Sequence, residues 1–231
     1  MPRNAREAAH NNASWCDAVC RAGGIPTTNG DNAWSAQKRS PDGYPDAISL
    51  DPGAAVNDLL SLVDSGPGCS VKDSFATLDL RWAGFTVLFE AQWIHGDPGS
   101  PRTRPVLPWH VVSTPAELVG FAAAHGNRAA FVDSLLEAQD VRVLAAIDND
   151  VLLAGVVLNR TGPVIGVSNL FTTASGRAEL IPGAIWRDVV VVAPKLFPGA
   201  PLVGYEVAQD LPPAIEAGFR TVGPLRVWIR G

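Results

Sequence analysis

Three apolar, β-branched runs that follow one another closely constrain the fold of this chain most. They span residues 141–147, 151–158 and 164–171. The intervening sequences, 148–150 and 160–163, are rich in Asp, Asn, Gly and Pro, which is typical of tight turns. Such connections are too short for a helical crossover, so neighbouring runs must pair antiparallel. The sequence therefore predicts a three-stranded meander.

Alternating helices and strands flank this meander. An aromatic and β-branched strand precedes it over residues 85–94, and a helix begins at Ser113 or Thr114, with Pro115 in its first turn, and ends near Gly126. The later elements are a helix over 183–193, a strand over 201–205, a helix over 210–217 and a closing strand over 225–229. This order predicts an α/β fold of the layered α+β kind with a mixed sheet.

The first 80 residues have a different character, with Gly-, Pro- and Asn-rich turn signals and little periodicity. Helical spacing of apolar residues predicts one amphipathic helix over 52–63, and a second helix is expected over 14–21. We expect residues 1–80 to form an irregular extension packed on a core domain of residues 81–231.

Charge and composition exclude several classes of protein. The chain has 18 Lys and Arg against 23 Asp and Glu, a net charge of −5, and no basic run that would neutralise a phosphate backbone. No window is apolar enough for a membrane span, and the first twelve residues lack the apolar core of a signal peptide. We therefore expect a soluble cytoplasmic protein that binds neither nucleic acid nor membrane.

The cysteines and the common motifs narrow the chemistry further. Three cysteines cannot all pair, which favours reduced thiols, and His10, Cys16 and Cys20 lack the spacing of a zinc site, so buried cysteines and no metal are expected. The sequence has no GxxxxGK phosphate loop, no GxGxxG fingerprint, no HExxH helix and no complete GxSxG elbow. Nucleotide hydrolysis, hydride transfer and serine hydrolysis are therefore disfavoured.

The order of elements over residues 84–230 resembles that of the GNAT superfamily of N-acetyltransferases. The runs 151–157, 164–171 and 202–206 resemble its third, fourth and fifth strands, and 214–219 followed by 222–229 resembles its closing helix, Gly-Phe turn and final strands. The resemblance implies a mixed, mostly antiparallel sheet with helices on both faces. It also implies acetyl-CoA, or another acyl-CoA, as co-substrate and a small amine as the acceptor.

The resemblance places the co-substrate between two strands. In the superfamily the fourth and fifth strands separate, and the pantetheine arm bonds to the exposed backbone of the fourth, which leaves unpaired peptide groups for a ligand. The residues that the resemblance assigns to this role are Asn169, Leu170, Phe171 and Thr172. The pyrophosphate would lie at the start of the helix near Gly183, with Arg177 nearby, although the loop over 175–184 is longer than the family's pattern.

Acid–base candidates follow from the chemistry of acyl transfer to an amine. Glu90, inside an otherwise apolar strand, is the first candidate for the base, with Glu206 as a second choice near the acceptor; a Glu90 that is solvated or paired with an Arg is the alternative. Ala214 occupies the position of the family's usual acid tyrosine, so Tyr205 is the candidate that would protonate the leaving thiolate. Packing of Tyr205 in the core is the alternative.

The remaining candidates concern the acceptor site. Trp93 and Trp109 flank a Pro-rich connector where the acceptor site of the family is walled, and we assign them with Glu206 to substrate contact; packing in the core is the alternative. His95, His110 and His125 are expected at the surface or in loops, and 72–74 is expected to form a polar turn without assigned chemistry.

These observations lead to two hypotheses about function. The first is an acyl-CoA-dependent N-acyltransferase in which a small amine attacks the thioester directly within a ternary complex. The second is a non-catalytic GNAT-fold module that binds a ligand or another protein, which the altered phosphate loop and Ala214 favour. A homodimer formed through a terminal strand is compatible with both.

Overall fold

A computed structural model describes residues 3–97, 104–179 and 183–231. Its helices are α1 (Arg3–Ala22), α2 (Val56–Leu60), α3 (Pro115–His125), α4 (Ala174–Glu179), α5 (Ala184–Leu196) and α6 (Leu211–Glu216). Its strands are β1 (Thr27–Asn29), β2 (Ala33–Ala36), β3 (Ala47–Ser49), β4 (Ser70–Asp73), β5 (Phe85–Gly96), β6 (Trp109–Val111), β7 (Val141–Asp148), β8 (Val151–Thr161), β9 (Val164–Thr172), β10 (Leu202–Glu206) and β11 (Arg220–Arg230).

All of the described strands belong to one sheet of eleven strands in the order β1-β2-β3-β4-β11-β5-β10-β9-β8-β7-β6. Strands β7, β8 and β9 pair antiparallel, so the predicted meander is confirmed. Parallel pairing occurs between β3 and β4 and between β9 and β10, whereas the other neighbours are antiparallel. The sheet is therefore mixed and mostly antiparallel, as predicted.

Helices cover both faces of the sheet. In the meander, neighbouring residues of one strand therefore pack against different helices. Val143 and Val157 pack in the apolar cluster that contains residues of α1 and α3, whereas their neighbours Leu144 and Val156 pack in the cluster that contains residues of α5 and α6. Successive strand residues point to opposite faces. We call these the α1 face and the α5 face.

Local sequence signals explain the limits of α3. The Thr114 side chain accepts a hydrogen bond from the backbone N–H of Glu117, and the Glu117 carboxylate accepts one from the backbone N–H of Thr114, which forms a capping box. At the other end Gly126 has a φ of 89°, the left-handed conformation in which glycine ends many helices. Both ends agree with the prediction.

The first 80 residues are more regular than the sequence indicated. Helix α1 has 20 residues, not the eight expected, and α2 has five residues inside the predicted range of 52–63. Strands β1 to β4 extend the sheet, because β4 pairs antiparallel with β11. The prediction of an irregular segment was wrong because strands of three or four residues show no periodicity and take their conformation from pairing.

Helix α1 lies against the sheet beside the junction of β9 and β10. The Asn11 side-chain amide donates to the backbone oxygen of Asn159 in β8, and the Asn159 amide donates to the backbone oxygen of Asn11, at 3.0 and 3.2 Å. Gly166 of β9 lies beneath this pair, where a Cβ atom would collide with both side chains. The reciprocal amide bonds therefore fix α1 at the point where the candidate site begins.

Among the described helices, none combines the length and the apolar character needed to cross a membrane.

Candidate functional site

Strands β9 and β10 separate after a short parallel ladder. Only Ile165 with Leu202 and Gly166 with Val203 are paired in the described part of these two strands. The β8–β9 ladder shifts register between Gly155 and Val157, which marks a bulge in β9. Peptide groups on the facing edges of β9 and β10 beyond these pairs have lost their neighbouring strand, so they are available to a ligand in the gap.

Asn169 sits at this bulge with a φ of 52°, a left-handed conformation that is uncommon for residues other than glycine. Its Oδ1 accepts hydrogen bonds from Trp15 Nε1 at 2.9 Å and from the Tyr44 hydroxyl at 3.2 Å. Its Nδ2 lies 3.2 Å from Nε2 of His125. Two helices, α1 and α3, and the segment between β2 and β3 thus hold this side chain on the α1 face and stabilise the bulge that opens the gap.

A cavity of about 570 Å³ adjoins the gap on the α5 face, and we call it the α5-side cavity. It collects every residue predicted to contact the co-substrate except Asn169, together with the predicted acceptor residue Glu206. Its lining consists of Leu170, Phe171, Thr172, Arg177, Gly183, Ile185, Trp186, Glu206, Asp210 and Pro213. The fold therefore brings residues that are distant in the sequence to one cavity.

The start of α5 and Arg177 supply positive charge to this cavity. Gly183, with a φ of 80°, is the N-cap of α5 and makes no side-chain capping bond, so the first N–H groups of the helix lack that partner. Arg177 Nη1 donates to the backbone oxygen of Thr172 at 2.7 Å. Residues 180–182 of the predicted phosphate loop lie outside the described residues.

A second cavity, of about 230 Å³, lies next to the gap, and we call it the α1-side cavity because residues of α1 line it. Its lining consists of Asn12, Trp15, Cys16, Gly43, Tyr44, Pro45, Lys72, Val167, Ser168, Asn169, Leu170, Tyr205 and Glu206. Leu170 and Glu206 line both cavities. The two cavities therefore meet at these residues, one on each separated strand.

Glu206 has the protonation behaviour of a general base. Burial raises the pKa of its carboxyl to about 7, and the nearby negative charge of Asp210 adds to this effect. A carboxylate with a pKa near the working pH both accepts a proton readily and releases it again. Position and pKa together make Glu206 the best-placed candidate base among the residues that line the cavities.

Glu90 does not lie at either cavity, and its expected burial is wrong. Its side chain is 64% exposed and pairs with Arg226 at 2.7 Å. Neighbouring Thr86 and Leu88, which share its face of β5, are also exposed, so no helix covers this part of the strand. The alternation of side chains along the strand predicts the face on which Glu90 lies, but it does not predict whether a helix covers that face. The structure thus matches the alternative of an Arg-paired carboxylate.

Tyr205 packs against aromatic side chains, as the alternative had it, and its side chain also reaches a cavity. Its ring stacks on Phe89 with centroids 6.5 Å apart and meets the edge of Trp93 at 5.6 Å, so it packs against aromatic neighbours. It also lines the α1-side cavity beside Glu206. The Nζ atom of Lys72 lies 4.3 Å from the centre of its ring.

The structure does not bring Trp93 or Trp109 to the gap. Trp93 is fully buried and its Nε1 donates to the backbone oxygen of Ser74 at 2.7 Å, which accounts for it as a core residue. Trp109 lies on the edge strand β6, where its Nε1 donates to the Asp188 carboxylate at 2.9 Å. Both tryptophans match the alternative of packing rather than substrate contact.

Two histidines also differ from expectation, because neither is exposed at the surface. His95 is buried, and His125 lies against Phe121, Phe131 and Phe171; burial lowers the pKa of both imidazoles. Cys16, Cys20 and Cys69 are buried free thiols. Within the described ranges no group of His, Cys, Asp and Glu has the arrangement of a metal site.

Among the residues of the α1-side cavity that sequence reasoning missed are Lys72 and Tyr44. Lys72 was expected in a polar turn, but it lies on β4 and is buried. Tyr44 is buried, and its hydroxyl bonds to Asn169 across 125 positions of sequence. Neither residue lies in a recognisable motif, so only the long-range pairing of β4 with β11 and the packing of the first 80 residues reveal them.

Comparison with known proteins bears on the fold. No protein-family model matches the chain, and no curated protein matches it. Among solved structures, a GCN5-related N-acetyltransferase from Kribbella flavida superposes with a TM-score of 0.69 at 13% identity, covering 100% of this chain and 96% of its own. Another, from Sphaerobacter thermophilus, has a TM-score of 0.55 at 12% identity and coverages of 98% and 93%.

A conserved protein of unknown function from Staphylococcus epidermidis gives a TM-score of 0.56 at 12% identity, with coverages of 89% and 94%. At such identities the likeness establishes the fold. The chain has the GNAT fold, and the resemblance read from the order of its elements is confirmed at that level.

Proposed function

We propose that this protein is an acyl-CoA-dependent N-acyltransferase that transfers an acetyl group from acetyl-CoA to a small amine. The observation that carries the proposal is the meeting of two cavities at Glu206 in the gap between β9 and β10. A gap with unpaired backbone suits an amide-rich pantetheine chain, and the second cavity offers the acceptor a separate approach to the same point.

The cavity residues suggest a place for the pantetheine, the pyrophosphate and the thioester of the co-substrate. Backbone groups of Leu170, Phe171 and Thr172 would bind the pantetheine, while the start of α5 and Arg177 would bind the pyrophosphate. The thioester would then lie near Glu206, where backbone N–H groups of β9 polarise its carbonyl. Holding the amine beside this carbonyl supplies the proximity that direct transfer needs.

Acyl transfer would take place directly from the thioester to the amine. The amine nitrogen attacks the thioester carbon, a C–N bond forms, and the C–S bond to CoA breaks. Glu206, ionised above its pKa of about 7, takes the proton that the amine loses. The departing thiolate takes a proton from the hydroxyl of Tyr205, which lines the same cavity. The products are an amide and free CoA.

Calorimetric titration with acetyl-CoA and with free CoA, followed by a screen of amine acceptors, tests the proposal. We expect micromolar binding of acetyl-CoA and formation of the amide. Glu206→Gln and Tyr205→Phe should each lower kcat by about a hundredfold or more while the protein still binds acetyl-CoA. Glu90→Gln is the matched control, because that exposed carboxylate is removed from the cavities and its loss should leave kcat unchanged.

One observation favours a second candidate, a non-catalytic ligand-binding or protein-interaction module. Ala214 stands where the family's acid tyrosine is usual, and it is completely buried. A protein of this kind would bind CoA weakly or not at all and would acylate no amine. Absence of binding heat at two temperatures, with the fold confirmed by circular dichroism, would overturn the acyltransferase proposal in favour of this module.

A further inference from the structure

Lys72 is a buried cation without an opposite charge. Only 3% of the surface of Lys72 is exposed, and its Nζ donates a hydrogen bond to the side-chain oxygen of Asn12 at 2.7 Å. Within residues 3–97, 104–179 and 183–231, no carboxylate oxygen lies within 4.0 Å of Nζ. Removing an ammonium group from water without a compensating charge is unfavourable. A buried lysine of this kind is therefore expected to bind an anionic group.

The ammonium group has capacity for such a partner. It carries three N–H donors, of which Asn12 accepts one and the face of the Tyr205 ring, 4.3 Å from Nζ, takes up a second. A third donor remains for an anion. Lys72 lines the α1-side cavity, on which Glu206 also lies. A ligand in that cavity therefore reaches the ammonium group and the candidate base together.

Lys72 also lines a neighbouring cavity of about 220 Å³, and the carboxylates of both cavities leave its charge uncompensated. These carboxylates are Asp42, Asp46 and Glu206. Asp46 is neutralised by Arg39 at 2.6 Å, Asp42 is exposed to solvent, and burial keeps Glu206 partly protonated at neutral pH. The electrostatic character near Lys72 therefore favours an anionic group on the ligand.

We propose that the acceptor is an amino acid or a similar small amine whose carboxylate pairs with Lys72 while its amine reaches Glu206. This inference rests on the proposed acyltransferase function and names its substrate class. The α1-side cavity, at about 230 Å³, suits a single small molecule rather than a protein tail. A charge-assisted bond is roughly twice as strong as a hydrogen bond between neutral groups, so the carboxylate dominates recognition of the acceptor.

The test compares amines that differ only in the carboxylate: phenylalanine with phenethylamine, leucine with 3-methylbutylamine, and alanine with ethylamine. We expect kcat/KM for the carboxylate member to exceed that of its partner by about tenfold or more in the best pair. Lys72→Met should reduce the ratio to about one, whereas Lys72→Arg, which keeps the charge, should retain part of it. Lys38→Met, at an exposed lysine, is the matched control and should leave the ratio unchanged.

A binding measurement makes the result independent of turnover. The N-acetylated form of each panel member is titrated into protein saturated with free CoA. Tighter binding of the carboxylate form by about tenfold, lost in Lys72→Met, supports the inference. Equal binding, preference for the neutral form, or no binding of any carboxylate form overturns it. The wild-type comparison decides alone if Lys72→Met does not fold.

The two proposals fail in different ways. Loss of the acyltransferase proposal would appear as absence of acetyl-CoA binding to folded wild-type protein. Loss of the substrate inference alone would appear as normal acetyl-CoA binding and acylation of amines regardless of their carboxylate. Lys72 does not line the α5-side cavity, so Lys72→Met is expected to bind acetyl-CoA with unchanged affinity.

Discussion

At Glu206, the environment that favours proton transfer near neutral pH also lowers the stability of the fold. A carboxylate buried in the fold is easier to protonate than one in water, because the charged form loses solvation. That is the condition of Glu206, whose pKa is raised from an ordinary value of 4.5 to about 7. The same burial that adapts this group to proton transfer near neutral pH therefore destabilises the folded protein once the group is ionised.

The consequence for stability has a definite sign. Well below pH 4.5, Glu206 is protonated in both the folded and the unfolded chain and contributes no difference. Between about pH 4.5 and 7 only the unfolded chain loses this proton, so the folded state becomes less stable, and above pH 7 the difference stays constant. We expect Glu206→Gln to be as stable as wild type at pH 4.5 and more stable by roughly 3 kcal/mol at pH 8.

Urea unfolding of both proteins across that pH range measures the difference. Glu90→Gln serves as the reference, because removing an exposed ion pair changes the free energy of unfolding by less than about 1 kcal/mol and leaves its pH dependence nearly unchanged. Parallel stability curves for wild type and Glu206→Gln would show that the folded protein does not raise the pKa of Glu206.

The sequence located the residues that line the gap between β9 and β10 better than it located the candidate acid–base residues. Leu170, Phe171 and Thr172 follow from a local pattern, namely their place at the end of a recognisable strand. The burial of Glu206 and of Lys72 depends on which distant segment covers each strand, and no local pattern carries that information. Glu90 was the first choice for the base for the same reason, since strand alternation does not say which face is covered.

Helices and strands with strong local sequence signals were predicted, whereas strands that form only by pairing with distant segments were missed. The meander and α3 have strong local signals, apolar alternation in one and a capping box in the other, and both were predicted close to their observed limits. Strands β1 to β4 have three or four residues each and were missed, because pairing with other strands rather than their own composition makes them extended. Strand β4 matters most, since it carries Lys72 to the site.

Helix α1 lines the α1-side cavity, and its position on β9 can be tested directly. We expect Gly166→Ala to destabilise the protein by about 2–4 kcal/mol, because the new Cβ would collide with Asn11 and Asn159 and disrupt their buried amide pair. If the α1-side cavity binds the acceptor as proposed, displacing α1 should also weaken acceptor binding, since Asn12 and Trp15 line this cavity.

Thermal and urea unfolding of Gly166→Ala measure the loss of stability. Gly120→Ala is the control, because that glycine lies on the exposed side of α3 with open space at its Cβ position, and alanine there should stabilise the helix by about 0.5–1 kcal/mol. Wild-type stability in Gly166→Ala would mean that the amide pair adjusts without strain and that α1 is not fixed at this point.

At the scale of the whole molecule, the first 80 residues are built into the same sheet and the same apolar clusters as the rest. Strand β4 covers the edge of β11, and Ala5, Ala8 and Ala9 of α1 pack in one cluster with Trp93 and Val203. The resemblance covers residues 84–230, so the sequence indicated the fold of that part but not how the preceding segment joins it. The proposed division at residue 80 therefore separates two parts of the chain that share cores.

This sharing predicts that residues 81–231 alone do not form a stable protein. Their isolation would expose the cluster faces that α1 covers and leave β11 unpaired along its outer edge. Each large apolar side chain exposed removes about 1.5–3 kcal/mol, so a few of them exhaust the 5–15 kcal/mol of a typical domain. We expect the fragment to lack a cooperative thermal transition and to bind a hydrophobic dye, whereas the full chain unfolds in one transition. Co-expression with residues 1–80 should restore the transition and acetyl-CoA binding together; a fragment that unfolds cooperatively and binds acetyl-CoA unaided would instead establish an independent core domain.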